Sequence, residues 1–495
     1  MIDVAATNIK GGRERLGYAV SRGKMKNNYA TDYINDQEIN SLLERSVGAT
    51  REEVKAIIAR AGDAKGLTPA EAAVLLNVED EFLLESMYDT ARFLKEKIYG
   101  RRLVFFAPLY LSNHCVNNCV YCGYRCSNGG MARRRLTMPE IEEEIRILES
   151  LGHKRLAVEC GEHSAECPLE YVLEAIKTIY SVKEKNGDIR RVNINIAAAS
   201  VADYRKLKDA GIGTYILFQE TYYRDTYRAM HPQGPKSDYD YHLTAMDRAM
   251  EAGIDDVGIG VLYGLYDYKY EVLATLMHAL HLEEKFGVGP HTISVPRMRP
   301  ADGVTMGNFP HLVPDGDFKK LIAVLRLAVP YTGMILSTRE RADFRDELLS
   351  VGISQLSAGS CTGVGGYKEE YGGAHRSGVS TAQFNVEDHR SPDEVVQSVC
   401  SSGYIPSFCT ACYRQGRTGD RFMALAKSGR IGDICQPNAI LTFKEYLVDY
   451  ASQDTREAGE RTIKEHLTQI STPAVRRETE ARVERITGGE RDLYF

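Results

Sequence analysis

From Leu103 onward the chain alternates between short apolar runs and longer segments with helical periodicity. The apolar runs are rich in Val, Ile, Leu and Tyr, and each has about the length of one buried strand. Helical patterns fill the intervals, which is the rhythm of repeated βα units with parallel strands. The eight candidate strands are Leu103–Tyr110, Arg155–Cys160, Arg191–Ala197, Thr214–Gln219, Asp256–Leu262, Thr292–Pro296, Thr332–Ser337 and Ile353–Ser357.

The intervening segments predict helices that begin and end at recognisable signals. Gly211, Gly253 and Gly352 follow three of them at the position where glycine commonly ends a helix. Eight parallel strands would close a TIM-type (β/α)8 barrel of the α/β class, whereas fewer strands would leave the barrel open. The predicted helices are Met138–Leu151, Pro168–Lys185, Val201–Ala210, Tyr239–Ala252, Glu271–Phe286, Asp317–Val329 and Arg341–Ser350.

Two further regions flank the predicted barrel. Before it, Thr50 and Thr68 are candidate helix N-caps and Asp80–Lys97 has the pattern of a long amphipathic helix. After Thr381 the strand–helix rhythm stops, and the highly charged segment Arg456–Phe495 predicts a solvated pair of surface helices. We therefore expect a helical extension over 1–100, the barrel over 101–380 and a mainly helical C-terminal domain over 381–495.

Composition and charge argue against several classes of function. The net charge of −6 argues against a nucleic-acid-binding surface, and the 43% apolar content supports a large core. No apolar run is long enough to span a bilayer, and Met1–Met25 lacks the apolar centre of a secretory signal, so we expect a cytoplasmic protein without a membrane partner. Eleven cysteines in so long a chain do not suggest a disulfide framework.

The first cysteine group follows the first predicted strand and has Cys-x3-Cys-x2-Cys spacing. It consists of Cys115, Cys119 and Cys122. Soft thiolates suit iron–sulfur centres, and three of them leave one iron of a 4Fe-4S cluster open to a substrate. A zinc knuckle is the alternative, but structural zinc takes four ligands, and His114 would be an awkwardly adjacent fourth.

The second cysteine group lies in the C-terminal region and again has three members. Cys409 and Cys412 form a Cys-x2-Cys pair, and Cys435 follows after 22 residues. The pair alone could be a structural zinc site or a redox dithiol. Because zinc would need another ligand, the third cysteine favours a second 4Fe-4S cluster with an open iron. The segment 381–495 is thus predicted to be an auxiliary-cluster domain.

Polar residues recur directly after the predicted strands, where the active site of a TIM-type barrel lies. Glu162 follows the second strand, Glu220 the fourth, Arg297 the sixth and Arg339 the seventh. Any one of them could form a loop salt bridge, which is the commoner fate of an exposed charge. Their shared placement at one rim, beside the first cysteine group, favours a common site.

The first cysteine group, with the aromatic Tyr121 just before its last cysteine, resembles the radical S-adenosylmethionine superfamily. Over nearly the whole chain the sequence also resembles the HydG family, the tyrosine-cleaving maturases of FeFe-hydrogenase. Some stretches are shared with ThiH, the tyrosine lyase of thiamin synthesis, whereas the C-terminal stretches resemble HydG and not ThiH. The shared stretches are Pro108–Asn113 and Gln219–Tyr222, and the HydG-like ones are Cys409–Arg421 and Cys435–Ala439.

The resemblance implies that the first cluster binds S-adenosylmethionine at its open iron. Cys160-Gly161-Glu162 stands in the place of the family's Gly-Gly-Glu motif, which meets the ammonium group of the cofactor. Tyr121, Gly161, Glu162 and Glu220 are the implied cofactor-binding residues. The sequence departs from the family pattern at two positions, His163 and Cys361.

The substrate implied is L-tyrosine, cleaved between Cα and Cβ to p-cresol and dehydroglycine. A carboxylate is best held by the planar fork of an arginine, so Arg339 is the first candidate and Arg297 the second. Glu220 is a further catalytic candidate. By resemblance, dehydroglycine reaches the second cluster and yields CO and cyanide, which build an iron–CO–cyanide synthon for hydrogenase maturation.

The second cluster is expected to carry an additional iron that holds a free cysteine. Neutral imidazole suits such an iron, and Pro290–Pro296 resembles the family segment, which makes His291 the candidate ligand, although most single histidines are structural. The implied partners are an electron donor such as ferredoxin or flavodoxin, and other hydrogenase maturases that receive the product.

Two other hypotheses remain open. A ThiH-like enzyme, a 2-iminoacetate synthase, would stop at dehydroglycine and use its C-terminal region as a zinc or structural domain. A non-catalytic iron–sulfur scaffold would keep the fold without radical chemistry. Counting iron separates the three, because they require two clusters with an extra iron, one cluster, or labile clusters without cofactor cleavage.

Overall fold

The computed structural model describes residues 29–495 apart from 374–380 and 429–430, so Met1–Met25 lies outside the described residues. Its strands are β1 (Arg102–Ser112), β2 (Arg155–Cys160), β3 (Lys183–Glu184), β4 (Gly187–Asp188), β5 (Arg191–Asn195), β6 (Tyr215–Ile216), β7 (Val257–Gly260), β8 (Thr292–Ser294), β9 (Gly333–Leu336), β10 (Gln355–Ser357) and β11 (Ile405–Ser407).

Eight of these strands close a parallel barrel, which confirms the predicted fold class. Their order is β1-β2-β5-β6-β7-β8-β9-β10, and β10 pairs back onto β1. All eight predicted strands overlap the observed ones. The strands are buried almost throughout, as expected of a parallel sheet covered by helices on its outer face.

Helices cover the barrel and build both flanking regions. The first four form the predicted N-terminal helical extension, and Thr50 and Thr68 each complete a capping box. The helices are α1 (Asp36–Arg45), α2 (Arg51–Ala61), α3 (Pro69–Leu76), α4 (Glu81–Tyr99), α5 (Met138–Ser150), α6 (Leu169–Ser181), α7 (Val201–Asp209), α8 (Arg224–Met230), α9 (Tyr239–Leu243), α10 (Ala245–Glu251), α11 (Tyr268–Phe286), α12 (Asp315–Ala328), α13 (Ala342–Leu349), α14 (Gly366–Tyr371), α15 (Pro392–Ser401), α16 (Ala411–Arg414), α17 (Gly419–Lys427), α18 (Gly432–Asp449), α19 (Gln453–Thr468) and α20 (Pro473–Thr487).

Two predicted helices are shorter than the sequence indicated. The predicted helix to Lys185 ends at Ser181, because the following residues turn back as the β3–β4 hairpin, with Lys185 at φ +53°. Tyr239–Ala252 is interrupted at Thr244, whose hydroxyl donates to the Asp240 carbonyl at 2.7 Å, so two short helices replace one. Both differences come from local turn and side-chain hydrogen bonding, which the periodicity of apolar residues does not reveal.

The ninth strand of the sheet, β11, was not expected. It pairs in parallel with the first residues of β1, Arg102–Val104, while β2 pairs further along at Ala107–Ser112. Residues that follow β11 therefore lie at the amino ends of the barrel strands. This attachment places the second cysteine group at the end opposite the first, since the first follows the carboxyl end of β1.

The C-terminal region is mainly helical, as predicted, but it is closely joined to the barrel. The predicted boundary at 380/381 adjoins residues outside the described part, and beyond it the Gln383 amide donates to the Thr362 carbonyl at 3.0 Å. The predicted helix pair over Arg456–Phe495 is confirmed as α19 and α20. It is not wholly solvated, because both helices pack on α18 and bury residues such as Ile463 and Ile486.

Within the described residues, every helix is too short or too polar to cross a membrane.

Candidate active site and second cysteine site

The first cysteine group opens on a cavity at the carboxyl ends of the barrel strands. This first cavity has a volume of roughly 230 Å³ and lies inside the carboxyl end of the barrel. Cys115, Cys119 and Cys122 line it, because the loop after β1 folds over the barrel mouth. Strand ends and the loops that follow them supply the rest of the wall, as in other barrels of this type.

The three thiols are buried, and a bound metal cluster would offset the cost of ionising them there. Burial raises the pKa of the Cys115 thiol to about 11, and it also raises the pKa of Cys119 and of Cys122. Deprotonating such thiols is costly without a cation, whereas a bound metal deprotonates its thiol ligands outright. The Asn117 amide nitrogen lies 3.8 Å from the Cys115 sulfur and could stabilise a thiolate there. These donors fit a 4Fe-4S cluster.

Glu162 and Gly161, predicted to bind the cofactor, lie against the cysteine loop. A side chain at Gly161 would approach the His114 carbonyl to 2.3 Å, so only glycine allows this close contact. Glu162 accepts a hydrogen bond from the Asn117 side-chain amide at 2.7 Å, and its carbonyl accepts one from the Val116 amide at 2.8 Å. Asn117 therefore links the cluster loop to the predicted ammonium ligand, a role that the spacing did not reveal.

Tyr121, the third predicted cofactor contact, is fixed by a histidine. The His231 Nδ1 lies 2.8 Å from the Tyr227 carbonyl and must donate to it, so Nε2 accepts from the Tyr121 hydroxyl at 2.8 Å. Burial lowers the pKa of His231, which keeps the ring neutral in this tautomer. The ring of Tyr121 is thereby presented to the first cavity.

Glu220 lines the first cavity in an unusual backbone conformation. Its φ is +69°, a region that side chains other than glycine rarely adopt. Such strain is typically retained at functional sites. The Lys236 ammonium lies 2.7 Å from its carboxylate and also lines the cavity. Lys236 was missed by the sequence reasoning, since it lies in the short 3-10 helix Pro235–Ser237, which does not directly follow a strand.

The structure separates the two candidate arginines. Arg339 lines the first cavity, and its guanidinium stacks 3.3 Å from the centre of the Phe384 ring without a hydrogen bond or ion pair to the described residues. Arg297 is not among the residues that line it. Its guanidinium pairs with both oxygens of the buried Glu340 and lies 2.8 Å from Asp315. The proposal of Arg297 as a substrate contact is therefore corrected, because its donors are already used.

One half-buried acid of the first cavity was also missed. Glu159 lies on β2 and faces the cavity, and burial raises its pKa to about 8. A charged residue within the apolar run Arg155–Cys160 was the available signal, since alternate strand residues point into the barrel. The shift makes Glu159 a candidate for holding a proton near neutral pH.

The two departures from the family pattern contact their own loops. The His163 Nδ1 accepts hydrogen bonds from the Ala165 and Glu166 amides at 3.3 and 3.1 Å, so the ring caps the turn after β2. Cys361 is half-buried, and its Cβ lies close to Gly366, where an added side chain would approach it to 2.8 Å. Both residues thus have local packing roles.

The second cysteine group lines a smaller cavity at the amino ends of the strands. This second cavity has a volume of roughly 80 Å³, and Cys409, Cys412, Cys435 and His291 all line it. Cys409 and Cys412 follow β11, and Cys435 lies in the first turn of α18. Burial raises the pKa of Cys409, as in the first group. The structure thus brings together residues from three distant parts of the chain, and the donors again fit a cluster.

His291 enters the second cavity from the start of β8. Its Nδ1 lies 3.5 Å from the Asp256 carboxylate and its Nε2 lies 3.4 Å from the Tyr413 hydroxyl. Burial lowers the pKa of His291, which favours the neutral ring that metals bind. A carboxylate behind an imidazole is the usual support of a metal-binding histidine. The geometry is compatible with the predicted iron ligand.

Comparisons with known proteins agree with this arrangement. Residues 109–280 match the family described as Radical SAM superfamily, and residues 294–405 match the Biotin and Thiamin Synthesis associated domain. The chain belongs to the radical SAM superfamily, and it is a lyase of that class.

Within that superfamily the chain belongs to the HydG family. It is 63% identical to a crystal structure of HydG, a maturase of the [FeFe]-hydrogenase, with a TM-score of 0.91, covering 94% of this chain and 100% of that one. HydG from Carboxydothermus hydrogenoformans is 39% identical with a TM-score of 0.77, covering 90% and 99% of the two chains. The 2-iminoacetate synthase of Salmonella typhimurium is 30% identical over 76% of this chain and 95% of that protein.

Proposed function

We propose that this chain cleaves L-tyrosine to p-cresol and dehydroglycine and converts dehydroglycine to CO and cyanide, which build an iron–CO–cyanide synthon for FeFe-hydrogenase. The observation that carries the proposal is the pair of cysteine groups at opposite ends of one barrel, each opening on its own cavity. Two separate sites suit two successive reactions on one substrate. The similarity to HydG structures supports the assignment.

The first cavity is assigned to tyrosine cleavage. Cys115, Cys119 and Cys122 would hold a 4Fe-4S cluster, and Glu162 with Tyr121 would position S-adenosylmethionine. Together these groups supply a 5′-deoxyadenosyl radical when bound. Arg339 provides the fork for the tyrosine carboxylate, because its guanidinium faces the cavity without a partner among the described residues.

The second cavity is assigned to the conversion of dehydroglycine. Cys409, Cys412 and Cys435 would hold a second 4Fe-4S cluster, and His291 would hold an additional iron that carries a free cysteine. Asp256 orients the His291 ring from its Nδ1 side. The Arg155 side chain donates to the Cys409 carbonyl at 2.9 Å and so fixes the cysteine loop against the barrel.

Partners and location complete the proposal. A low-potential donor such as ferredoxin or flavodoxin would supply electrons, and other hydrogenase maturases would receive the iron product. The eleven cysteines all lie within the described residues and form no disulfide bond there, which suits a reducing compartment and supports a cytoplasmic location.

The test is an anaerobic assay of the reconstituted protein with reductant, S-adenosylmethionine and tyrosine. We expect p-cresol, CO and cyanide together, and iron for two clusters plus one extra iron. A protein that makes p-cresol without CO, and holds one cluster, would be a 2-iminoacetate synthase. The similarity to the 2-iminoacetate synthase of Salmonella typhimurium, 95% of whose length is matched, favours this second candidate. Clusters without any cofactor cleavage would indicate a scaffold.

A further inference from the structure

The strained backbone at Glu220 needs support from its neighbours. Its φ of +69° lies in the left-handed region, and a residue of this kind stays there only where the surrounding structure holds it. On one side, the Glu220 carbonyl accepts a hydrogen bond from the Leu262 amide at 2.9 Å. The two residues that follow, Thr221 and Tyr222, must be held as well if the carboxylate is to keep its direction toward the first cavity.

One side chain, that of Glu271 in the first turn of α11, holds both of these residues. One of its carboxyl oxygens is hydrogen-bonded to the Thr221 hydroxyl, and the other accepts a hydrogen bond from the Tyr222 amide at 2.9 Å. Glu271 is 1% exposed, and Thr221 and Tyr222 are fully buried. Both contacts lie within two residues of the strained backbone, so they set the direction in which the chain leaves Glu220.

The same face of α11 contacts this turn at a second point. His278 lies seven residues after Glu271, which places the two side chains on one face of the helix. The His278 Nδ1 lies 2.8 Å from the Tyr222 hydroxyl, and the Tyr239 hydroxyl donates to the Tyr222 carbonyl at 2.7 Å. The turn after Glu220 is therefore fixed from outside the cavity, chiefly by α11.

Glu271 is a buried acid whose neighbours are hydrogen-bonding groups and not cations. Burial raises its pKa to about 8, so near neutral pH the side chain is mostly the neutral acid. A neutral acid can donate one hydrogen bond and accept another, which matches its two partners in the turn. Glutamine has the same length and also offers a donor and an acceptor, whereas methionine has the same length and offers neither.

We infer that Glu271 is a positioning residue that holds Glu220 in place for S-adenosylmethionine. Glu271 does not itself line the first cavity and acts through the two residues that follow Glu220. Glu220 does line the cavity, where the Lys236 ammonium lies 2.7 Å from its carboxylate. This inference rests on the proposed function, with Glu220 as a contact of S-adenosylmethionine, but it does not depend on the identity of the substrate.

The alternative role for Glu271 is to stabilise the fold alone. In that case its loss lowers the melting temperature, and any loss of cofactor affinity adds to the loss caused by a change at Glu220. If Glu271 instead acts through Glu220, its substitution has little further effect once the Glu220 carboxylate has been removed. A double-mutant cycle therefore separates the two roles, because it measures this departure from additivity.

The experiment measures the Kd of radiolabelled S-adenosylmethionine by equilibrium dialysis against the anaerobically reconstituted holoprotein. Reductant is left out, so that the cofactor is bound but not cleaved. The melting temperature of each variant is recorded in parallel, and 5′-deoxyadenosine is assayed after reductant is added. The variants are Glu271→Gln, Glu271→Met, Glu220→Gln and the double variant Glu271→Met with Glu220→Gln.

Glu144→Met is the matched control. Glu144 is also a glutamate on an outer helix, it is 2% exposed, and burial raises its pKa as well. It accepts hydrogen bonds from the Tyr367 and Lys368 amides at 3.1 and 2.8 Å, and neither residue lines the first cavity. The control therefore removes the same kind of buried contact from a loop that does not carry Glu220.

We expect Glu271→Met to raise the Kd about tenfold and Glu271→Gln to bind within about twofold of the parent, because only glutamine keeps both hydrogen bonds. The double variant should bind as Glu220→Gln does. Glu144→Met should lower the melting temperature and leave the Kd unchanged. If Glu271→Met does not fold, Thr221→Val takes its place, because it removes one of the two contacts at nearly constant volume and should raise the Kd about threefold or more.

Three results would overturn the inference. The first is an unchanged Kd in folded Glu271→Met, or in Thr221→Val where that variant takes its place. The second is an additive loss of affinity in the double variant, which assigns Glu271 to the fold alone. The third is a Kd in Glu271→Gln as high as in Glu271→Met, because glutamine keeps the two contacts. A parent that binds and cleaves S-adenosylmethionine but makes no p-cresol would refute the proposed function and leave this inference standing.

Discussion

Replacing Arg339 with lysine tests the tyrosine contact directly. The guanidinium faces the first cavity and is supported on one face by Phe384 at 3.3 Å, so its fork is oriented but unused. Lysine keeps the charge but offers a single point donor, and one of two parallel hydrogen bonds to the carboxylate is lost. A charge-assisted hydrogen bond contributes about 1.5–3 kcal/mol, which corresponds to a roughly ten- to hundredfold rise in the tyrosine KM.

The assay follows p-cresol and 5′-deoxyadenosine together over a range of tyrosine concentrations. In Arg339→Lys we expect 5′-deoxyadenosine to continue while p-cresol falls, because the cofactor contacts at Glu162 and Tyr121 are untouched. The ratio of the two products therefore drops. This uncoupling distinguishes a lost substrate contact from a damaged cluster, which would lower both products equally.

Arg297→Lys is the matched control for this prediction. Arg297 pairs through two nitrogens with Glu340, which is 1% exposed, so the substitution should lower the melting temperature. Breaking a buried ion pair costs about 3–5 kcal/mol when a partner is removed, and lysine should cost less. The tyrosine KM of the folded protein should not change. An unchanged tyrosine KM in Arg339→Lys, or a raised one in Arg297→Lys, would refute the assignment.

Three further substitutions test the rest of the site. Cys119→Ala should abolish both 5′-deoxyadenosine and p-cresol, measured by chromatography, and undiminished p-cresol would contradict the cluster assignment. Cys409→Ala should remove the second cluster and CO while p-cresol persists, and CO at the parent's rate would leave the C-terminal region as a structural domain. Asn117→Asp should weaken S-adenosylmethionine binding about tenfold or more, because it replaces the donor to Glu162 with a like charge, whereas the neighbouring Asn118→Asp should not.

Local chemistry made much of the fold predictable. The eight strands follow from apolar runs, since a strand buried on both faces must be apolar along its length. The helix starts at Thr50, Thr68 and Thr137 are set by side chains that bond to amides within three residues, and these contacts need no tertiary partner. The two cysteine groups were visible for a similar reason, because several cluster ligands lie within a few residues of one another.

Position after a strand did not distinguish Arg339 from Arg297. Both residues end barrel strands at the carboxyl rim, and both carry the same charge. The difference comes from Glu340, which the tertiary structure turns toward Arg297 and away from Arg339. The same limit applies to Asn117, whose side-chain amide contacts Glu162, 45 residues further along the chain. It applies also to Lys236, whose backbone amide donates to the Asn117 side-chain oxygen from 119 residues away.

The sequence by itself determined the barrel, the two cysteine triads and the class of chemistry. The barrel follows from strand and helix periodicity, and the triads and their chemistry follow from the spacing of neighbouring cysteines. Only the tertiary structure decided that the triads lie at opposite ends of the barrel. That placement depends on the pairing of β11 with Arg102–Val104, a contact across some three hundred residues. Long-range pairing of this kind is fixed by the packing of the whole core, and a three-residue strand carries too little local signal to reveal it.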